Sequence, residues 1–565
     1  MRSQMTLQFP LAFPAATYAF GERASGESHG VVLTKPHIVE LILDLSGYTE
    51  HQDLPSMTLL EPACGRGVFL AAAATRLARA AKRQGIAISE LGSALTAFDI
   101  DPQHVSDTRS RVASLLRNHG LASRSAGALA AKWVQHGDFL LSHRAARFDA
   151  IVGNPPYVRI EQIPSILLEE YRRRFRTLFD RADLYVAFIE HALGLLKPNG
   201  ILSFICADRW TLNRYGAPLR DIITREFAVR AYVDLHTAAP FESEVIAYPA
   251  IFAIGRTRGR SVAVAKLATA SPEECDALRA GLRRPNRGPG GNQIEQYGRW
   301  FSGDEPWVLT SPAHLQALRD LEARFAPLEA HGDTRVRIGV ATGSDAAYIV
   351  GRDVDIESDR LVPLVMREDI HQGMVRNAGR FVINTFAADG RPVNLAHYPR
   401  LARHLHEHAA QVRLRHIAQK NPTAWFRTID RVYPDLVKVP KLLIPDIAGA
   451  NEIALDPGEF HPHHNLYFVT SSAWELEALG GLLSSRVALF FVWSYAVKMR
   501  GGYLRFQAQY LRRIRLPSPQ QLAPRLAKSL RSAFRKRDFA RLDHLALEAF
   551  ELRDLPAFDF VDTRA

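Results

Sequence analysis

A short loop in the N-terminal half carries the strongest chemical signal in the sequence. The apolar run at 148–153 leads directly into Asn154-Pro155-Pro156-Tyr157. Two successive prolines fix the backbone and remove two N–H donors, so the Pro155 carbonyl and the Asn154 side chain can converge as acceptors on one amino group. Tyr157 offers a ring for a planar group. Two acceptors on a conjugated amino group concentrate its lone pair on nitrogen. The loop therefore predicts a site that makes such an amino group nucleophilic without a strong base.

A glycine turn after an earlier predicted strand is typical of a ligand site. Glu61-Pro62-Ala63-Cys64-Gly65-Arg66-Gly67 ends the strand in an acid and opens a helix. Gly65 and Gly67 allow a ligand to approach the backbone closely. The acid would repel a pyrophosphate, and Leu70 replaces the third glycine of a dinucleotide fingerprint. The turn favours a cationic ligand with an amino group, such as S-adenosylmethionine (AdoMet). Another nucleotide and a merely tight turn remain alternatives.

Further acids follow later strands. Asp99, in Asp99-Ile100-Asp101, ends the next predicted strand, where a carboxylate can accept both hydroxyls of a ribose. Asp101 is placed to cap the following helix. Asp138 can accept a hydrogen bond from an adenine amino group, and Phe139 can lie against the adenine ring. Two helix-capping acids and a plain Gly-Asp turn are the alternatives at these positions.

These residues are positioned by alternating strands and helices. Short apolar runs predict strands at 58–61, 95–99, 133–136, 149–152, 201–206, 231–235 and 246–254. Longer amphipathic patterns predict helices near 36–45, 68–84, 102–118, 182–196 and 217–227. Such alternation predicts an α/β fold with helices on both faces of the sheet.

Composition and periodicity predict five segments along the 565 residues. An N-terminal extension at 1–30 precedes a catalytic domain at 31–255. The Arg/Pro/Gly-rich stretch at 283–292 lies within a predicted linker region at 256–305. Mixed periodicity at 306–522 predicts a mixed α+β domain. The last segment, 523–565, begins with a basic amphipathic helix pattern at about 523–550.

The net charge of +12 is unevenly distributed along the chain. Residues 1–255 contain 27 Lys/Arg and 25 Asp/Glu, so residues 256–565 hold +10. This distribution favours a polyanionic partner for the second half, and a basic surface kept for solubility is the alternative. The 3 cysteines lie far apart, which excludes a disulfide scaffold and predicts a reducing, cytoplasmic location. No apolar run approaches the ~20 residues of a membrane span.

In chain order, these motifs resemble the gamma-class (Taq-type) adenine-N6 DNA methyltransferases of restriction–modification systems. Segments at 33–39, 183–190 and 196–200 extend the resemblance over 31–255. Lys35 departs from the proline that the family often has. The resemblance implies a Rossmann-like AdoMet-dependent sheet. The cofactor residues that it implies are Thr34, Glu61, Ala63, Cys64, Gly65, Gly67, Asp99, Ile100, Asp138, Phe139 and Asn154. The catalytic residues that it implies are Asn154, Pro155, Pro156, Tyr157 and Phe241.

The resemblance also implies a substrate and a mechanism. The enzyme would methylate adenine N6 at a specific site in double-stranded DNA after flipping the base, with Phe241 opposite Tyr157 around it. The second domain would select the site through segments at 441–446, 479–485 and 501–517. A separately encoded restriction endonuclease is the expected counterpart. Basic and aromatic residues give the candidate DNA contacts Arg172, Arg173, Arg174, Arg500, Tyr503, Arg505, Arg512 and Arg513. A solvated helix face is the alternative for 172–174.

Other readings of the same loop remain open. Asn-Pro-Pro-Tyr also occurs in enzymes that methylate protein glutamine or ribosomal RNA guanine, which are usually shorter and lack a large basic domain. A bifunctional restriction enzyme and a DNA-binding subunit with a vestigial cofactor fold are further alternatives. No metal is implied, because His461-Pro462-His463-His464 lacks nearby partner ligands in the sequence. That segment is predicted to be a loop.

Overall fold

A computed structural model describes most of the chain. The described residues are 32–142, 146–243, 248–257, 261–283, 294–298, 300–301, 303–308, 310–376, 379–449, 452–496 and 502–561. The chain divides into two compact units, Met1–Val308 and Leu309–Ala565. The predicted extension at 1–30 lies outside the described residues.

A nine-stranded sheet forms the centre of the first unit, in the order β3-β2-β1-β4-β5-β7-β6-β8-β9. The described strands are β1 (Leu59–Glu61), β2 (Leu95–Asp99), β3 (Val134–His136), β4 (Phe148–Gly153), β5 (Leu196–Ala207), β6 (Ala228–Asp234), β7 (Pro249–Gly255), β8 (Val262–Lys266) and β9 (Glu295–Tyr297). Strands β1 to β5 pair in parallel, whereas β7 is antiparallel to β5 and β6. The chain starts at β1, moves outward to β3, and returns to β4 on the other side of β1. This reversal places a crevice at the carboxyl ends of β1 and β4.

Helices connect these strands. The first unit contains α1 (Pro36–Leu45), α2 (Val68–Gln84), α3 (Pro102–Asn118), α4 (Ser123–Trp133), α5 (Ser165–Arg174), α6 (Tyr185–Gly194), α7 (Ala217–Glu226) and α8 (Pro272–Arg283). Right-handed crossovers put the helices that follow β1 and β2 on one face and those that follow β4 and β5 on the other. The predicted Rossmann-like α/β fold is confirmed.

Local signals explain why α3 begins and α2 ends where the sequence predicts. The Asp101 side chain accepts from the Gln103 amide at 2.8 Å and caps α3, and Pro102 occupies its first position. Helix α2 ends at Gly85, whose φ of 68° closes a left-handed cap. Buried apolar side chains of α1, α2 and α4 pack into one core with the sheet.

Residues 256–305, predicted as a linker, extend the sheet instead. Strand β8 pairs in parallel with β6, and β9 pairs antiparallel with β8. The alternation of valine and alanine in β8 is a strand pattern that the nearby glycine- and proline-rich composition obscured. Residues 284–292 of the predicted linker lie outside the described residues.

The second unit is a mixed α+β structure. Its helices are α9 (Pro312–Arg324), α10 (Asp345–Tyr348), α11 (Pro399–Glu407), α12 (Ala409–Arg413), α13 (His416–Lys420), α14 (Leu476–Leu483), α15 (Arg486–Tyr495), α16 (Ala508–Leu511), α17 (Pro524–Lys536) and α18 (Phe539–Ala549). Its strands are β10 (Ala326–Pro327), β11 (Arg335–Ile338), β12 (Ile349–Val350), β13 (Leu361–Val365), β14 (Ile370–His371), β15 (Met374–Val375), β16 (Phe381–Ile383), β17 (Lys441–Pro445), β18 (Ile447–Ala448), β19 (Ala454–Asp456), β20 (His461–Pro462), β21 (Leu466–Thr470), β22 (Leu504–Arg505) and β23 (Arg515–Leu516). Two four-stranded sheets run β11-β21-β17-β19 and β12-β16-β13-β20.

The single basic helix predicted at about 523–550 is two helices. Helix α17 stops at Arg537, which has a φ of 56°, and the Asp538 side chain caps α18 by accepting from the Arg541 amide at 3.0 Å. A left-handed arginine is uncommon, so the pattern gave no sign of the break.

The described helices are short relative to a lipid bilayer. No one of them is long and apolar enough to cross a bilayer, and only α14 and α15 together, bent by 58°, reach that length and composition.

Candidate active site

A cavity opens at the carboxyl ends of β1, β2 and β4. Its walls come from the segment before α1, the turn after β1, the ends of β2 and β3, and the loop after β4. The predicted site residues that line it are Thr34, Glu61, Ala63, Cys64, Gly65, Asp99, Ile100, Asp138, Phe139, Asn154 and Pro156. The structure thus brings five separate sequence segments into one pocket.

Glu61 is a buried carboxylate at the cavity wall, with 1% of its surface exposed. Neither of its oxygens has a hydrogen-bond partner in the part of the chain that the structure describes. Burial raises the pKa of Glu61 well above its usual value; the nearby Leu70 amide, which lies outside hydrogen-bond geometry, lowers it, and the charge of Asp99 raises it further. An unpaired buried carboxylate is unfavourable, so this position suits a cationic group of a ligand.

Asp99 braces the glycine turn as well as facing the cavity. Its Oδ2 accepts from the Gly65 amide at 2.7 Å, and its Oδ1 accepts from the Asp101 amide at 2.9 Å. A carboxylate oxygen has a second acceptor position, which remains for a ligand hydroxyl. Asp99 therefore both shapes the turn and can bind there.

Gly67 supports the turn without lining the cavity. Its φ is 75°, and an added Cβ would lie 2.6 Å from the Thr108 methyl group. Any side chain would be strained and would displace α3. Gly67 therefore has a packing role, and its contact with a cofactor stays a prediction.

Asp138 is held from two directions. Tyr171 of α5 donates its hydroxyl to Asp138 Oδ2 at 2.5 Å, and the Leu140 amide donates to Oδ1 at 2.9 Å. Burial raises the pKa of the Asp138 carboxyl, against the opposing effect of these donors. The neighbouring Phe139 ring is 2% exposed and lines the same wall.

Asn154 has the orientation that its predicted role requires. Its Nδ2 donates to the Val32 carbonyl at 3.0 Å and to Thr34 Oγ1 at 3.3 Å. Its Oδ1 is buried and has no partner among the described residues. Because the amide nitrogen is anchored on protein, the oxygen of this cavity-lining residue is left as a free acceptor among the described residues. Pro155 behind it is buried.

Two aromatic rings stand beside this loop. The Tyr157 and Phe241 ring centroids are 6.4 Å apart and the rings are nearly perpendicular, at 83°. Phe241 forms an antiparallel bridge with Thr34, so the two segments that flank Asn154 are tied together. Burial raises the pKa of the Tyr157 hydroxyl well above its usual value. Edge-on rings at this spacing are in contact with each other, and a planar group between them needs them to separate.

Known proteins resemble the chain over nearly its full length. The type II methyltransferase M.PaeR7I of Pseudomonas aeruginosa is 44% identical over 93% of this chain and 92% of its own. M.BstVI of Geobacillus stearothermophilus is 44% identical over 87% of this chain and 91% of its own, and M.XhoI of Xanthomonas vasicola is 43% identical over 90% and 94%. The chain belongs to the type II methyltransferases. The predicted resemblance to restriction–modification methyltransferases is confirmed.

Two further comparisons concern one segment of the chain and its fold. The Eco57I restriction-modification methylase family matches residues 86–241 of the methyltransferase, which include the end of β2 and the Asn154 loop. The structure of the type IIL restriction–modification enzyme MmeI in complex with DNA shares the fold, with a TM-score of 0.58 and 12% identity, over 96% of this chain and 75% of that one.

The predicted DNA contacts of the methyltransferase on α5 have partners inside the protein. Arg173 and Arg174 both pair with Glu170, at 2.7 and 2.6 Å, and Arg174 also donates to the Leu141 carbonyl. Arg172 donates to the Asp180 carbonyl at 3.1 Å. Arg173 is the more exposed of the Glu170 pair, at 70% against 16% for Arg174. Arg174 thus acts chiefly in holding α5 against the loop after Asp138.

The predicted DNA-contact residues of the second unit differ in whether they have partners within the protein. Arg505 pairs with Asp446 at 2.5 Å, and Arg512 pairs with Glu329 at 3.2 Å. Arg513 lies over the Tyr495 ring, 4.6 Å from its centroid. Tyr503 is 41% exposed, and Arg500 lies outside the described residues.

Sequence reasoning missed three contributors to the site. The Val32 carbonyl orients Asn154, Tyr171 fixes Asp138, and His104 Nδ1 lies 3.3 Å from Asp99 Oδ1 at the cavity wall. A backbone carbonyl leaves no mark in a sequence. Tyr171 and His104 stand on helices, and their spacing from the acids gives no pattern that a motif could capture.

Proposed function

We propose that the chain transfers a methyl group from AdoMet to the N6 amino group of adenine in double-stranded DNA, as the modification enzyme of a restriction–modification system. Membership of the type II methyltransferases supports methyl transfer. The observation that carries the choice of an amino-group acceptor is the fixed orientation of Asn154, with its Nδ2 bound to Val32 and Thr34 and its Oδ1 left without a protein partner.

The cavity has acceptors for three hydrogen-bond donors of the cofactor. Glu61 would receive the methionine ammonium group, whose charge would relieve the unpaired buried carboxylate. Asp99 would accept from the ribose hydroxyls, and Asp138 from the adenine amino group beside the Phe139 ring. When bound, AdoMet supplies an electrophilic methyl group on a sulfonium centre.

The chain's own part in the transfer is to prepare the nitrogen. Asn154 Oδ1 and the Pro155 carbonyl would each accept a hydrogen bond from one N–H group of the target amino group. These two hydrogen bonds would draw the nitrogen lone pair out of conjugation with the ring. AdoMet, held by Glu61, Asp99 and Asp138, would supply the methyl group to this nitrogen, and the electron pair of the broken C–S bond would remain on its sulfur. The nitrogen then loses one proton to solvent, so no strong base is needed.

A base inside a duplex cannot present its amino group to this loop, which makes extrusion of the base part of the proposal. Tyr157 and Phe241 would hold the extruded adenine. Their ring centroids, 6.4 Å apart, are too close for a base between them without movement of at least one ring, since each stacked pair needs about 3.5 Å between planes. Opening of this aromatic pair would thus accompany base entry.

One labelling experiment tests the proposal. The full chain is incubated with AdoMet carrying a tritiated methyl group and with unmodified genomic DNA, transfer RNA or a protein extract. The expected product is N6-methyladenine after digestion of the DNA to nucleosides, with none from an Asn154→Ala variant. Label in N4-methylcytosine, RNA or protein glutamine would overturn the assigned substrate.

A further inference from the structure

The second unit contains a cluster of possible metal ligands that lies outside the methyl-transfer site. Asp345 begins α10, and His463 and His464 follow β20, 118 and 119 positions later in the chain. His463 Nε2 lies 3.3 Å from each oxygen of the Asp345 carboxylate and 2.8 Å from His464 Nδ1. The folded chain supplies the carboxylate partner that the histidine segment lacks in sequence.

Hydrogen bonding alone leaves this convergence incompletely satisfied. An imidazole nitrogen carries at most one proton, so His463 Nε2 cannot donate fully to both His464 and Asp345. If His464 Nδ1 donates to His463 Nε2 instead, the lone pair of Nε2 is occupied. No proton then lies between His463 Nε2 and the Asp345 carboxylate oxygens. A cation among the three ligand atoms would satisfy all of them together.

The spacing also fits one ion. All three ligand atoms lie within 4.8 Å of one another. With metal–ligand bonds of about 2.0–2.2 Å, separations of 2.8 and 3.3 Å correspond to angles of roughly 85–105° at the metal. Such angles are those of neighbouring ligands on a five- or six-coordinate ion, with the remaining positions left to water. A shared ion also requires His464 Nδ1 and the Asp345 oxygen to lie within about 4.4 Å of each other, inside the 4.8 Å that bounds all three pairs.

The surrounding backbone holds the three ligands in place without a metal. The Val340 amide donates to the Pro462 carbonyl at 2.9 Å, and the His464 amide donates to the Val340 carbonyl at 3.0 Å. Thr342 Oγ1 donates to Asp345 Oδ1 at 2.5 Å. His463 is 2% exposed, whereas His464 and Asp345 are exposed, so an ion can enter from solvent.

We propose that Asp345, His463 and His464 bind one divalent transition-metal ion of the Zn²⁺, Ni²⁺ or Cu²⁺ class, because two imidazoles with one carboxylate match the ligand preference of these ions. The ion would link the first residue of α10 to the segment that follows β20. This site is independent of the proposed methyl transfer and of its cofactor.

Metal titration of the full chain tests the site. After treatment with a chelator and its removal, Zn²⁺ binding is measured by calorimetry, and Co²⁺ binding by its visible absorption. The wild type should bind one ion and show a higher Tm with Zn²⁺. His464→Ala should lose the Co²⁺ absorption and at least tenfold of the affinity, whereas His416→Ala, which removes an exposed histidine outside the cluster, should bind as the wild type does.

Asp345→Asn provides a second variant with an exposed side chain, in case His464→Ala does not fold. It should weaken binding and leave the far-ultraviolet circular dichroism unchanged. Equal binding by the wild type and a folded Asp345→Asn or His464→Ala protein would overturn the proposal, and so would a wild type that binds no ion.

Discussion

Two buried carboxylates, one in each unit, show how pairing separates a structural charge from a ligand-binding one. Asp456 and Glu61 are 0% and 1% exposed. Asp456 Oδ2 accepts from Lys441 Nζ at 2.7 Å, and its Oδ1 accepts from the Gly458 and Glu459 amides. Glu61 has no such partner among the described residues. Two equally buried carboxylates therefore have different roles. Asp456, with its hydrogen-bond partners, stabilises the fold, whereas Glu61, without one, is available to a ligand.

The largest effect should follow from unpairing Asp456. Lys441→Met leaves the carboxylate buried with only backbone donors, and we expect unfolding of the second unit to be easier by about 3–5 kcal/mol. Denaturant unfolding measures this. Lys438→Met, at an exposed position nearby, should change stability by less than about 1 kcal/mol. If both variants changed the free energy of unfolding by a similarly small amount, Asp456 would not have the stabilising role assigned to it.

Asn154→Ala should have the largest effect on catalysis and little effect on stability. Loss of one preoriented acceptor should slow methyl transfer by about 10²–10³-fold, the range seen when a single transition-state hydrogen bond is removed. AdoMet affinity, measured by calorimetry, should stay close to that of the wild type, because the residue acts on the target amino group. Exposed Asn199→Ala serves as control. Near-normal single-turnover rates in Asn154→Ala would contradict the assigned role.

Glu61→Gln separates binding from folding most directly. Loss of a charge-assisted hydrogen bond to the ammonium group should weaken AdoMet binding by about 1.5–3 kcal/mol, roughly ten- to a hundredfold. The fold of the unliganded protein should not be weakened, since the glutamine carries no buried charge. Exposed Glu90→Gln should bind normally. A variant with normal cofactor affinity would show that Glu61 has another purpose.

The same residue sets a pH dependence. Because burial raises the pKa of Glu61 in the folded state, the folded protein binds more protons than the unfolded chain above the usual glutamate pKa. Stability without cofactor should therefore fall as pH rises from about 4.5 toward the folded-state pKa. Unfolding measured across that window should show a shallower decline in Glu61→Gln than in the wild type. Parallel curves would contradict an unpaired Glu61.

The aromatic pair should give a comparable effect through the substrate. Tyr157→Ala or Phe241→Ala removes a stacking surface worth about 1–3 kcal/mol per base, so methylation should slow by up to roughly a hundredfold. Fluorescence of 2-aminopurine at the target position should change with each variant. Tyr157→Phe keeps the ring and loses a hydroxyl that has no partner in the described residues, so it should remain active. Normal turnover in both alanine variants would make the rings ordinary core residues.

Tyr171→Phe should have the smallest effect, because Asp138 keeps the Leu140 amide as a partner. Loss of one hydrogen bond should weaken AdoMet binding by about 1 kcal/mol, roughly fivefold. Tyr215→Phe, which removes a hydroxyl that bonds to Tyr185 instead, is a matched control. Equal cofactor affinities of the two variants would place Tyr171 outside the cofactor site.

The sequence predicts well whatever is specified locally. Helices α1, α2 and α3 are predicted to the residue, because Pro36, Asp101 with Pro102, and Gly85 mark their ends. Helices α4 and α5 are not among the predicted helices, because no side chain caps the start of either one. The basic residues at the end of α5 point to DNA contact through their charge and carry no helix signal.

The site follows the same division. Motifs predict the acids at strand ends, because chain direction and sheet topology put those ends together. Contacts across 122 residues, such as Asn154 to the Val32 carbonyl, depend on tertiary packing and on a backbone atom that any residue would supply. The same holds for Asp345 with His463, which only the folded second unit brings together.

Strands β8 and β9 have a consequence for dividing the protein into pieces. The β8 backbone covers the outer edge of β6, and His37 of α1 bonds to the Ala270 carbonyl just before α8. A fragment that ended near residue 260 would expose the amide and carbonyl groups of β6. Exposed strand edges of this kind pair with other chains and cause aggregation. Exchange of the second unit between relatives should therefore join sequences after Val308, where the first compact unit ends.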